Sequence, residues 1–165
     1  MNAAHIHLLL NHIPILGALF GIILLIFGLI RKNNALSQAA LITFIMAAIV
    51  TLPVDWSGEQ AEEIVEELPG ISHDLIHKHE EIAELAVKFM LGLGVLSLLT
   101  LILGAWHVKI GRILRWITLL LSFAVFFLMT RAGNSGGEIS HPEIRKDFKI
   151  EKAPETKDLE EKDND

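Results

Sequence analysis

The chain contains no cysteine. That single absence excludes structural disulfides, thiolate metal sites, iron–sulfur clusters and c-type haem attachment together. Any metal chemistry is left to imidazole, carboxylate and thioether groups. Familiar catalytic signatures are missing as well: no serine or cysteine nucleophile arrangement, no phosphate-binding glycine loop and no HExxH zinc helix, because "HKHEE" has the wrong spacing. A carboxylate beside an imidazole can still do acid–base work, so an enzyme is not excluded, but the pattern fits electron transfer or metal binding better. No internal repeat stands out. Charge is scarce over the apolar two thirds of the sequence, and the formal net charge of −6 arises from an acidic central loop and an acidic tail. A nucleic-acid partner is not expected from such a chain.

What the sequence does have is hydrocarbon. Of its 165 residues 52% are hydrophobic, with a mean hydropathy of +0.47, which is too apolar for an ordinary soluble domain. A bilayer core takes about 20 apolar helical residues, and four stretches qualify, at about 8–30, 36–52, 82–106 and 113–130. The sequence therefore predicts an all-α, four-helix transmembrane bundle over residues 1–144, followed by a charged, disordered tail over 145–165. Trp56, Trp106 and Trp116 fall at or near span ends, where indoles favour the interface. The first span lacks a basic n-region and a good cleavage site, so it reads as a retained helix.

The connection over 53–81 is the long one. Its sequence predicts a turn at Ser57 and Gly58, an acidic amphipathic extramembrane helix to about Leu68, a Pro69–Gly70 break, and a new helix capped by Ser72. After the last span, "RAGNSGGEISHPEI" reads as a glycine-rich reversal. The two short connections, 31–35 and 107–112, carry Arg31, Lys32, Lys109 and Arg112 with no acid, and Arg115 follows. Such loops belong in the cytoplasm. Basic residues near the other face (Lys78, Lys88, Arg131, Arg145, Lys146) are equal in number, but the density in the short loops decides. Both termini and the long loop are then expected outside, periplasmic if the membrane is a bacterial inner membrane.

Four spans put seven of the eight histidines on one side: His5, His7, His12, His73, His77, His79 and His141, with only His107 opposite. Imidazoles at the mouth of an apolar segment are costly unless satisfied. Bundle interiors are where facing side chains build cofactor and metal sites. The cofactor-binding candidates are His7, His12, His79 and His141; for a bare ion they are His12, His79 and His141. His12 leads, because Pro14 removes the donor that would bond the Leu10 carbonyl and loosens that turn. Asp55, Glu80, Glu84, Glu138 and Glu143 could orient an imidazole by hydrogen bonding or bind metal directly. His5, His73, His77 and His107 read as solvated surface, Gly17, Gly21 and Gly28 as helix packing, and Met46, Met90 and Met129 as core filling.

"HLLLNHIPI", His7 to Ile15, resembles the HPxxVHFPI opening of a widespread bacterial family of predicted four-helix membrane proteins of unknown function. "SGEQAEEIVEELPGISHDLIHKHEEIAELA" resembles that family's TG-x-x-A region with its His-Glu pair, and "NSGGEISHPEI" its GG-containing stretch after the last span; together the three stretches cover 50 residues. Here Leu8, Asn11 and Ile13 replace the motif's proline, valine and phenylalanine. By position the resemblance singles out His7, His12, His79, Glu80, Gly136, Gly137 and His141, and it implies no established activity.

Imidazole without thiolate suits iron, copper, zinc and haem. The first expectation is a b-type haem held by paired imidazoles, making a small membrane cytochrome or a redox-complex subunit that exchanges electrons at the outer surface with a quinone or an outer-side redox protein. The alternatives are a non-haem iron, copper or zinc site, and a cofactor-free scaffold subunit of a membrane complex. A homo-oligomer is compatible with each.

Overall fold

Helix follows helix in the computed structural model, which describes residues 2–66 and 72–145. The order is α1 (Ala3–Leu10), α2 (His12–Ile30), α3 (Asn34–Val65), α4 (His73–Trp106) and α5 (Val108–Ser140), closed by a single 3-10 turn at Pro142–Ile144. Among the described residues there is no strand. Four helices, with α1 and α2 counted as one, are long and apolar enough to cross a membrane. The helices pack as a ring of antiparallel neighbours, α2 on α3, α3 on α4, α4 on α5 and α5 on α2, and α1 lies against α3. The amino-terminal α1, the end of α3, the start of α4 and the end of α5 share one end of the bundle. The connections at 31–33 and at His107 share the other.

The helix ends are set by local chemistry. Asn2 accepts the His5 amide and opens α1, and Asn33 accepts the Leu36 amide and opens α3. Between α2 and α3 the chain reverses through Lys32 at φ 51°, with the Asn33 amide bonded back to the Gly28 carbonyl. That closes the orphan carbonyls of α2 in the manner of a Schellman cap.

Small residues let these apolar helices approach closely, and close van der Waals packing is what joins them. A side chain at Gly17 would fall 2.8 Å from the Ala47 Cβ, Gly21 lies against the Phe44 ring, and Gly28 against Ser37. The small-residue stripe of α2 is thus its seam with α3. Phe44, Leu25, Met90, Leu93 and Val125 fill the centre without exposure. Thr100 and Thr118 join α4 to α5 at 3.2 Å, a type of bond worth about 0.6 kcal/mol within a membrane. Phe20, Phe27, Ile102 and Leu120 are among the apolar side chains on the outside, a surface suited to hydrocarbon.

Three sequence expectations are corrected. The chain does not turn at Ser57 and Gly58; α3 runs unbroken through Pro53 to Val65, so the acidic stretch to Val65 is continuous with the helix that carries the second apolar run. Proline removes one donor and one helix bond, and α3 tolerates this because its neighbours hold the segment: Ser57 is fully buried and its hydroxyl donates to the Val54 carbonyl. The glycine-rich "RAGNSGGEIS" is likewise helical, carrying α5 to Ser140, with Asn134 donating to Glu138 one turn on. Its glycines admit neighbours at close range and make no reversal. Finally, the first helix begins at Ala3, ahead of the expected Leu8. The predicted end at Leu68, the Pro69–Gly70 break and nearly all of the tail lie outside the described residues.

Candidate functional site

Two of the histidines meet. The rings of His7, on α1, and His79, on α4, stand 6.5 Å apart between centres and perpendicular, at 86°. Both residues are half-buried. Each is seated against a glycine of a neighbouring helix: a Cβ at Gly58 of α3 would lie 3.1 Å from the His7 ring, and one at Gly136 of α5 would lie 3.0 Å from the His79 ring. Only residues without a side chain let α3 and α5 carry an imidazole this close to their backbones.

The hydrogen bonds fix which nitrogen of each ring holds the proton. His7 Nδ1 is 2.9 Å from the Val54 carbonyl oxygen. A carbonyl can only accept, so Nδ1–H donates. His79 Nδ1 is 2.9 Å from Ser135 Oγ, and the Ser135 hydroxyl already donates to the Ala132 carbonyl at 2.9 Å. With the serine proton on the Ala132 carbonyl, His79 Nδ1–H is the donor here too. In the Nδ1–H tautomer of each ring, Nε2 is left as a lone pair with no hydrogen-bond partner among the described residues. That is the state in which imidazole ligates a metal, with its other nitrogen anchored to an oxygen.

The site lies beyond the most apolar stretches of the bundle, because Ser135 is a turn past Arg131 at the end of the apolar stretch of α5, and His79 precedes the apolar run that starts at Ile82. Burial, reinforced by the neighbouring His7 and opposed by the Ala132 carbonyl, holds His79 below its ordinary value of 6.5. The ring is therefore neutral at pH 7. Nearby, burial and the Glu84 charge push the Asp55 carboxyl up, against the pull of His7.

A stability consequence follows from His79. A folded-state value below the unfolded one contributes stability above about pH 6.5 that is lost as pH falls through the lowered value. Unfolding midpoints of the wild type measured from pH 8 down to 5 are expected to decline relative to those of His79→Gln, which has no imidazole to protonate. Parallel profiles for the two proteins would contradict the assignment.

The structure does not bring His12 or His141 to this pair. His12 is exposed, whereas Pro14 is fully buried; residues two apart sit on nearly opposite sides of a helix, so the proline that drew attention to His12 turns it away from the core. His141 is exposed and bonds Glu143 at 2.9 Å, an interaction that, after the Glu143 backbone amide, lowers the Glu143 carboxyl. The three-imidazole ion site at His12, His79 and His141 is thus not assembled. Among the described residues no group of three or more His, Asp or Glu side chains is placed to hold a metal ion.

Of the other expected helpers, Gly136 backs His79 and Gly137 faces Ile144. Asp55 lies within electrostatic reach of His7, and Glu84 pairs with Lys88. Glu80 reaches His77 at 3.7 Å and Glu66 reaches His73 at 3.8 Å, across an open acidic groove that also includes Glu62 and Asp74. Burial first, then Glu80 and Glu66, raise the Glu62 carboxyl. Sequence reasoning missed Val54 and Ser135, the two oxygens that orient the rings, and Gly58, which makes room for one of them. A backbone carbonyl carries no side-chain signature, and Ser135 lay within an apparent turn. Compared with known proteins, the chain matches no family model, no curated protein and no solved structure.

Proposed function

We propose that His7 and His79 are the two protein ligands of a b-type haem and that the chain is a membrane electron-transfer protein or the haem-carrying subunit of a redox complex. One observation carries this reading: two imidazoles from different helices, each anchored through Nδ1 to an oxygen, stand with their ring centres 6.5 Å apart and no hydrogen-bond partner at Nε2 among the described residues. Imidazoles from two different helices, each with Nδ1 anchored to an oxygen, would together hold a haem iron through Nε2. Haem needs only two ligands from the protein, because the porphyrin supplies the rest. A four-coordinate ion takes three or four, and no such group is assembled among the described residues. The missing third ligand thus favours haem over non-haem iron, copper or zinc.

A haem held by two imidazoles has no open position and supplies one-electron exchange. The chain's own contribution is positional. Val54 and Ser135 hold the ring orientations, Gly58 and Gly136 let the helices close around them, and burial keeps His79 unprotonated. The pair lies at one end of the bundle, so a single haem there relays electrons at that surface, and a quinone or an outer-side redox protein is the partner class. Purification of the full chain from membranes tests the proposal. A Soret band with α and β bands in the reduced-minus-oxidised spectrum, at one haem per chain, is expected. A colourless protein with stoichiometric metal would select the non-haem site, and neither haem nor metal would leave the imidazole pair as a helix-to-helix link in a scaffold subunit.

A further inference from the structure

The opposite end of the bundle has a charge problem that the chain does not solve. No aspartate or glutamate occurs between residues 1 and 54 or between 85 and 137, so every carboxylate on the described helices belongs to the histidine end. The short-connection end nonetheless carries Arg31, Lys32, Lys109, Arg112 and Arg115. Arg115 is the sharpest case. It is half-buried, its Nη1 donates to Asn34 Oδ1 at 2.9 Å, and its Nε is shut off from solvent with no acceptor. Asn34 opens α3 and Arg115 sits in the second turn of α5, so this bond ties the two short connections together and gathers their cations. The α5 amino terminus adds its own positive end, with no side-chain cap from His107.

A guanidinium cannot shed its charge, and at the edge of hydrocarbon an unpaired one is costly. Among the described residues none supplies a counter-charge at this end. We infer that this end binds the phosphate of an anionic phospholipid between the 31–34 turn and the start of α5. A free phosphate would satisfy the charges alone, but the same place also presents apolar surface fit for acyl chains: Trp106 is 80% exposed, Val108 73%, Ile113 61% and Trp116 56%. Exposed indoles beside cations mark the headgroup layer, and basic pockets between transmembrane helices are where anionic headgroups bind.

The test uses the full chain, delipidated in detergent, with three probes: phosphatidylglycerol, phosphatidylcholine and inorganic phosphate. Native mass spectrometry is expected to show phosphatidylglycerol retained in preference to phosphatidylcholine, and the unfolding midpoint to rise by roughly 5 °C with phosphatidylglycerol only. Arg115→Gln and Arg112→Gln should each weaken retention by about fivefold, the effect of one basic residue near an anionic surface, while Arg131→Gln at the other end leaves it unchanged. Arg112 is exposed, so its variant keeps the test informative if Arg115→Gln does not fold. Equal retention of both lipids, the same stabilisation from inorganic phosphate, or full retention by Arg112→Gln would each overturn the inference.

Discussion

His7→Ala is expected to give a folded, colourless protein, with haem content lowered by more than about 100-fold, since loss of even an orienting partner of a ligand costs 10–100-fold. His79→Ala should behave alike, because two imidazoles act on one iron and neither has a substitute nearby. His12→Ala and His141→Ala should keep the full spectrum. The contrast between His7 and His12 is the informative one: both stand at the same end of the first span, and the resemblance by motif favours them equally. Their difference is geometric. They are five residues apart, which rotates one well away from the other around the helix axis, and only His7 has a backbone acceptor, the Val54 carbonyl, to fix its ring. Helical circular dichroism separates a lost ligand from a lost fold. If His12→Ala lost as much haem as His7→Ala, the assigned face of α1 would be wrong.

The four long apolar helices and the gathering of histidines at one end were legible in the sequence, because hydropathy over 20 residues and the parity of the crossings decide both. Which histidine faces inward was not. In a soluble helix the apolar stripe reveals the buried side. On α1 and α2 the surface toward lipid is as apolar as the surface toward α3, and Leu9, Ile13 and Phe20 are exposed while Ile22 and Leu25 are buried. The pattern therefore carries no direction. Residue size carries some, since Gly17, Gly21 and Gly28 lie along the buried seam, but those glycines begin ten residues after His7. Helix ends failed for a related reason. Proline at 53 and glycines at 133, 136 and 137 are breakers in a solvated chain; here packing against neighbouring helices outweighs local propensity, and Gly133 and Gly136 turn out to be the seats of Ile15 from α2 and His79 from α4. The motif resemblance marks His7, His12, His79, Glu80, Gly136, Gly137 and His141; of these the rings of His7 and His79 meet and Gly136 backs His79, while His12, Glu80 and His141 are exposed.

Ser135→Ala is the second large effect, and it separates orientation from ligation. Ser135 touches no proposed ligand atom. It accepts the Nδ1–H of His79 while donating to the Ala132 carbonyl, so its removal leaves His79 free to rotate or to shift its proton to Nε2, the nitrogen needed as a lone pair. Haem affinity should fall by about 10–100-fold, and the reduction potential of the remaining bound haem should shift, because hydrogen bonding to a ligating imidazole raises its basicity. The potential is the decisive readout, since a merely structural serine would change yield without moving it. Ser122→Ala provides the control: its hydroxyl is equally buried in α5 and bonded at 2.7 Å to the Leu119 carbonyl, with no imidazole attached. That variant should cost about 1 kcal/mol of stability at most for one hydroxyl bond and leave both affinity and potential unchanged. Equal behaviour of the two variants would reduce Ser135 to a packing residue and leave the tautomer of His79 without a cause.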